Sequence, residues 1–378
     1  MNPTYLAADF GGGSGRVIAG FLRPEGKGYC LELKEIHRFA NRPVQMGDYF
    51  VWDFPSLYAD MLEGFAKAAR QGLDVVSVGI DTWGVDFGLI DSTGQLAGMP
   101  VCYRDTHTDG MPEIFAREES PQAHYAEAGI QVLPINTLYR LMAMKRADDP
   151  RLDIARRLLF TPDLLTYFLT GHEINEYTIA STSEMLDART RSWNEPLLRR
   201  MGLRPEMMCP ITMPGTVVGN ITPRVAEATG LDSNVKVVAV GSHDTASAAF
   251  ASPRNYTTDR AAFLSSGTWS LLGVELDEPV LTEEARRAGF SNEGGVGAKT
   301  LLLQNITGLW ILQRLAAQWR ERGEDPGWPA LIDEAEAAAD TAVIDVDDQR
   351  FSRPDAMEQT IAAYCRETSQ PSPSTRGE

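Results

Sequence analysis

The sequence predicts an α/β protein made of two related domains facing a cleft. Three observations carry the prediction. A glycine-rich turn at 11–15 joins two apolar segments, so the chain runs strand, turn, strand. A second turn of Gly, Ser and Thr at 265–268 also lies between strand-like segments, as in a two-fold repeat of the first unit. Apolar runs close to both turns end on carboxylates, Asp9, Asp81 and Asp244.

The elements follow in order. Residues 4–10 are an apolar run ending beside Asp9. A dinucleotide-binding fold places a helix directly after such a turn, but 16–22 (RVIAGFL) is β-branched and apolar, so it reads as a returning strand. Residues 29–39 alternate again. Leu57, Met61, Phe65 and Ala68 recur at helical spacing within 54–71. The run VVSVGI at 75–80 is a buried strand type that stops at Asp81, and 87–90 followed by Asp-Ser-Thr-Gly is a strand and turn. The middle, 110–215, reads as mostly helical. It includes 137–146 and 151–169, with Pro162 starting a new helix capped by Thr161. Residues 235–240 form another buried strand ending in Gly-Ser-His-Asp, and 245–251 begin a helix. The stretch 260–264 leads into the second turn, and 270–274 continues as a strand. The expected domains are 1–248, 249–368 and a Pro/Ser-rich disordered tail at 369–378.

The 378 residues carry 35 Lys and Arg against 52 Asp and Glu, a net charge of −17, which argues against nucleic acid or an anionic membrane as a bulk partner. A hydrophobic share of 43% is ordinary for a folded chain. Four cysteines without CxxC spacing indicate neither a zinc cluster nor a disulfide framework. No signal peptide is visible, and no run approaches the roughly 18 apolar residues of a membrane helix. The expected location is the cytoplasm.

Five segments offer chemistry. In Asp9-Phe-Gly-Gly-Gly-Ser-Gly-Arg16 the glycines let backbone N–H groups approach phosphate oxygens, Asp9 can hold Mg²⁺ and Arg16 can add a charged contact. A plain hairpin turn explains the same residues. No Gly-Lys-Ser/Thr follows, so it is not a P-loop. In GIDTWGVDF (79–87) the indole of Trp83 and the space at Gly84 suit a sugar, while a buried core Trp explains them equally. In GSHDTASAA (241–249) a carboxylate at a helix start can take a proton from a hydroxyl attacking phosphorus. It can also simply cap the helix, which is worth about 1 kcal/mol. The turn Ser-Ser-Gly-Thr268-Trp suits phosphates, or is an ordinary Ser/Thr turn. Finally, Asn305 reads as the cap of a helix that carries Gln313; each is either a ligand contact or an ordinary cap and solvated face.

Taken together, TWGVDF, SHDTASA, SSGTWS and NITGLW, in that order with the glycine loop, resemble the FGGY carbohydrate kinases from the first strand to about residue 373. The resemblance implies two actin-like (ribonuclease H-like) domains around a cleft, and ATP-dependent phosphorylation of a ketose, L-rhamnulose, at O1 with Mg²⁺. It makes Asp244 the general base. Gly84, His243, Thr245 and Asn305 become sugar contacts. Gly12, Gly13, Ser14, Gly15, Arg16, Thr268 and Gln313 become ATP contacts, and Asp9 the metal carboxylate. Many family members have Thr where this chain has Gly12. The family also has a later glycine-rich turn holding adenosine, which is not seen after Gly295. The second domain is therefore expected to be incomplete, leaving Phe263, Leu264, Leu271, Leu272, Leu301 and Leu303 short of cover and the chain poorly active and prone to aggregate. The competing expectations are an inactive or sugar-binding-only fragment, a kinase for another ketose or polyol, and, less fittingly, an actin-like ATPase of another kind.

Overall fold

The computed structural model describes residues 3–252, 261–267, 269–338, 342–351 and 356–378. These divide into two compact units: one holds residues 1–261 and 274–303, the other 262–273 and 304–378. The division near 261 falls later than the sequence boundary at 248. The first unit also regains 274–303, because Phe290–Gly295 packs against two of its helices.

The first unit is organised on a six-stranded sheet. Its strands are β1 (Pro3–Phe10), β2 (Ser14–Glu25), β3 (Gly28–Ala40), β4 (Asp74–Thr82), β5 (Val217–Asn220) and β6 (Lys236–Val238), in spatial order β5-β6-β4-β1-β2-β3. β1 and β2 form the hairpin that the β-branched run predicts, with Asp9 opposite Arg16. β4 is parallel to both β1 and β6.

Helix α1 (Phe54–Arg70) covers one face of the sheet. Asp53 caps it by accepting from the Ser56 N–H, Pro55 opens its first turn, and Leu57, Met61, Phe65 and Ala68 are buried at three- and four-residue steps. These meet Leu6, Ala8, Val17 and Val78 in the main core. Each fully buried aliphatic or aromatic side chain there is worth about 1.5–3 kcal/mol. Close approach is decided by glycine: a Cβ on Gly15 would lie 2.3 Å from the Phe39 ring. Gly15→Ala is therefore expected to destabilise the unit by about 1–3 kcal/mol in urea denaturation; an unchanged midpoint would show that Phe39 moves freely aside.

Three local expectations are corrected. Residues 155–160, expected as helix, form a strand (Ala155–Phe160) antiparallel to Phe87–Asp91. Leu158, Leu159 and Phe160 are all fully buried, and a run buried on both faces has no period to betray it. Pro162 does open the next helix, α2 (Thr161–Thr170). Asn305 is no helix cap: it lies in the strand Lys299–Thr307, whose Leu301 and Leu303 are buried, and the helix begins at Trp310. The stretch 369–378 is also held rather than loose. Gln370 exchanges two hydrogen bonds with the Val343 backbone, and Arg376 pairs with Glu334 at 2.8 Å.

Of the six apolar residues expected to lack cover, Leu271, Leu301 and Leu303 are buried, Phe263 is half-buried, and Leu264 and Leu272 are exposed by 61% and 45%. The last two are register partners in the hairpin of Phe263–Ser266 with Trp269–Leu276, so one face of it stays bare. Elsewhere in the second unit, Phe351 and Met357 are buried with Ile311, and Trp319 packs with Ala316 and Leu331. Among the described residues no helix is long and apolar enough to cross a membrane.

Candidate active site

Sheet register brings three distant carboxylates into one row. Asp9 and Asp81 are paired positions at the ends of parallel β1 and β4. Thr82 is bridged in turn to His243, its N–H donating to the Ser242 carbonyl at 2.9 Å, so the segment after β6 extends the row to Asp244. The C-terminal ends of parallel strands are where open α/β sheets bind ligands. Burial, and then the charges of Asp9 and Asp244, push Asp81 well above the usual carboxylate range, against the pull of Arg16 and His243. Burial also raises Asp9, opposed by Arg16, whose Nε lies 3.1 Å from the carboxylate. Asp244 is raised by burial and to a lesser degree by the Asp9 charge, opposed by His243 and by the Thr245 N–H that donates to it at 2.7 Å. Its side chain keeps 42% of its exposure, so water still reaches the carboxylate. It is the first residue of helix α4 (Asp244–Ala251), and His243 occupies the cap position.

The glycine loop is held from outside. The Asn41 side chain donates to the Gly11 carbonyl at 2.9 Å and its backbone to the Gly13 carbonyl at 3.1 Å, while Gly12 and Gly13 stay exposed. A Cβ at Gly12 would stand an ordinary 3.5 Å from the Tyr103 hydroxyl, so this position does not need glycine for space. Ser14 and Arg16 are half-buried, and Gly15 is buried beneath Phe39.

The TWG segment divides its labour. Trp83 is buried, its indole N–H donates to Asp86 at 2.8 Å and its ring sits 4.3 Å from that of Trp52, so it belongs to the core. Asp86 is fully buried and paired with the equally buried Arg140. Between them, the Asp86 N–H donates to the Gly84 carbonyl across Val85, which has a φ of 64°. This tight turn is strained for a β-branched residue. It is held by Thr182, which accepts from the Val85 N–H at 3.0 Å, and by Thr137, which donates to the Val85 carbonyl at 2.7 Å.

His243 lies between two carboxylates. Its Nε2 is 3.3 Å from Asp244 and its Nδ1 is 3.2 Å from Glu293, on the strand Phe290–Gly295. Its backbone N–H donates to the Thr178 hydroxyl, and the Ser242 N–H donates to Glu176. Glu176 also caps the helix α3 (Tyr177–Ser181), and burial raises it to about 7. Asn41, Tyr103, Glu176 and Glu293 were not singled out from sequence. The one signal available was Glu293, an acid beside two glycines in an otherwise strand-like stretch.

Asp9, the glycine loop, Gly84, His243, Asp244 and Thr245 all lie in the first unit; Asn305 and Gln313 lie in the second. Thr268 lies outside the described residues. Among the described residues no group of three or more His, Cys, Asp or Glu side chains could hold a metal ion.

This fold and this row of strand-end carboxylates define an actin-like α/β phosphotransferase, and the comparisons say which. The N-terminal domain of the FGGY family of carbohydrate kinases matches residues 4–251 and its C-terminal domain residues 262–377. The chain belongs to that family and is a carbohydrate kinase. It is 42% identical to a rhamnulokinase of Bacteroides thetaiotaomicron, over all of this chain and 76% of the relative. It is 39% identical to a rhamnulokinase of Oceanobacillus iheyensis, over all of this chain and 78% of the relative. A gluconate kinase of Lactobacillus acidophilus shares the fold, with a TM-score of 0.71 at 16% identity over 90% of this chain and 66% of that one.

Proposed function

We propose that the chain transfers the γ-phosphoryl group of ATP to O1 of L-rhamnulose, with Asp244 as general base. The observation that carries this reading is the Asp244 carboxylate: water-accessible, at a helix start, and braced by His243. The names borne by relatives at 39–42% identity supply the sugar. Asp244 accepts the O1 proton as O1 attacks the γ-phosphorus, the bond from that phosphorus to the β,γ-bridging oxygen breaks, and ADP leaves. Gly84, His243, Thr245 and Asn305 contact the sugar. Gly12, Gly13, Ser14, Gly15, Arg16, Thr268 and Gln313 contact ATP, and at Gly12 and Gly13 the contact is through backbone N–H groups alone.

Mg²⁺ neutralises phosphate charge when bound. The donor set fits a hydrated ion held by one carboxylate and the substrate's phosphates, not a cage of protein ligands. Asp9, 30% exposed and beside the glycine loop, is the residue for it. A coupled ADP-release assay across ketoses and polyols tests the reading: ADP release dependent on L-rhamnulose supports it, and preference for another sugar reassigns the substrate. Sugar binding in isothermal titration without turnover would favour a binding-only chain. Asp9→Ala is expected to weaken Mg²⁺·ATP use far more than sugar affinity; an unchanged Mg²⁺ dependence would remove Asp9 from the site.

A further inference from the structure

We propose that Glu293 is a positioning residue for this reaction: it pairs with the far side of the His243 ring and so fixes the orientation and charge with which His243 meets Asp244. The inference rests on the reading of Asp244 as the base.

The geometry leaves the ring little choice. Glu293 Oε2 stands 3.2 Å from Nδ1 and Asp244 Oδ1 stands 3.3 Å from Nε2, with the His243 and Glu293 side chains only 8% and 7% exposed. A neutral imidazole has one N–H donor and one lone pair. With a carboxylate at each nitrogen, the neutral ring must aim its lone pair at a negative charge; only the imidazolium suits both sides. The Glu293 contact falls outside strict hydrogen-bond geometry, so it acts as an ion pair between two otherwise unpartnered buried atoms.

Both ends of the contact are anchored. The His243 N–H donates to Thr178 at 3.1 Å, and the Gly294 N–H, next to Glu293, donates to Ser181 at 2.7 Å. Both anchors belong to α3 or its end, which packs on the Glu293 strand.

Among the described residues, the charged groups that act on His243 are carboxylates: Glu293 from its strand, Asp244 from α4, Glu176 from the start of α3 and Asp81 from β4. Burial by itself lowers the imidazole pKa. Glu293 first, then Asp244 and Glu176, more than reverse this and raise it to about 9. An imidazolium beside Asp244 opposes the burial that pushes that carboxylate up, and so favours its ionised, proton-accepting form.

The sign of the effect follows. In Glu293→Gln the raising charge is gone, burial weighs more, and the ring loses its proton at lower pH. In the acid range where Asp244 takes up its proton the ring is still an imidazolium, so Asp244 keeps its cationic neighbour there. The alkaline limb of kcat/KM for the sugar should therefore move down while the acid limb stays in place, narrowing the profile from its alkaline side. A purely structural role would lower activity evenly across pH or lower the melting temperature alone. Glu293→Asp, which restores the charge on a shorter stem, should recover part of the width.

The test has a second readout that needs no turnover. The His243 ring is followed by NMR in histidine-labelled full-length chain, its signal assigned by loss in His243→Gln. The unaltered chain should titrate near 9, and Glu293→Gln roughly 1–2 units lower. A midpoint near 6.5 in the unaltered chain, which requires no variant to fold, overturns the proposal, as does a Glu293→Gln profile and midpoint that overlay the unaltered ones. A midpoint near 9 without sugar phosphorylation would overturn the kinase reading while leaving the Glu293 contact in place.

Discussion

Asp244→Asn is expected to lower kcat by about 10²–10⁴-fold, the scale of one positioned general base, and to leave sugar affinity nearly unchanged. The amide keeps the shape of the side chain and can still accept the Thr245 N–H that Asp244 now accepts at 2.7 Å. What it loses, on the proposed mechanism, is the capacity to take the O1 proton. It also removes one of the two carboxylate charges that push Asp81 upward, so the fold should not suffer. Steady-state kinetics beside a thermal melt separate the two effects. A variant with an unchanged melting temperature and near-normal turnover would show that the proton leaves by another route.

Asp86→Ala is expected to cost about 3–5 kcal/mol of stability, the usual penalty for stranding one charge of a buried pair. Arg140 is 2% exposed, and its guanidinium also donates to the Val101 carbonyl. Burial, with a lesser contribution from Arg151, lowers its pKa to about 9, and a guanidinium is not readily deprotonated, so the loss of Asp86 strands a charge. The indole N–H groups of Trp52 and Trp83 lose their acceptor in the same step. Against a typical domain stability of about 5–15 kcal/mol this is a large share. The double variant Asp86→Leu with Arg140→Met should recover much of the loss, because the costly state is one charge without the other. Urea denaturation of both variants decides it; an Asp86→Ala variant within about 1 kcal/mol of the unaltered chain would mean that water enters to solvate Arg140. The same pair anchors the Gly84–Asp86 turn, so a destabilised variant should also bind sugar more weakly.

The two effects differ in kind. Asp244 is accessible, and the expected loss on its replacement is one of turnover. Asp86, two residues after Gly84 in the TWG motif, serves the motif from beneath. A sequence motif mixes such residues without distinguishing them: TWGVDF contributes a core indole, a strained turn and a buried ion pair, of which Gly84 alone was carried forward as a sugar contact.

What the sequence by itself determined is what depends on near neighbours in the chain. The hairpin after the glycine loop follows from β-branched residues at 17–18, α1 from its apolar spacing, and β4 from a continuous buried run. The family could be read from motifs in order, and the comparisons bear that out. Tertiary structure alone decided which distant residues meet. Asp9 joins Asp81 through parallel register, Asp244 joins them through the Thr82–His243 bridge, and His243 finds Glu293 on a strand that returns to the first unit much later in the chain. It also decided that 155–160 is a strand and that Asn305 lies in one. The physical reason is the same in each case. Periodicity and turn chemistry report which face of a segment is buried, but strand order and register choose its neighbours, and those neighbours set the charge of every group in the site.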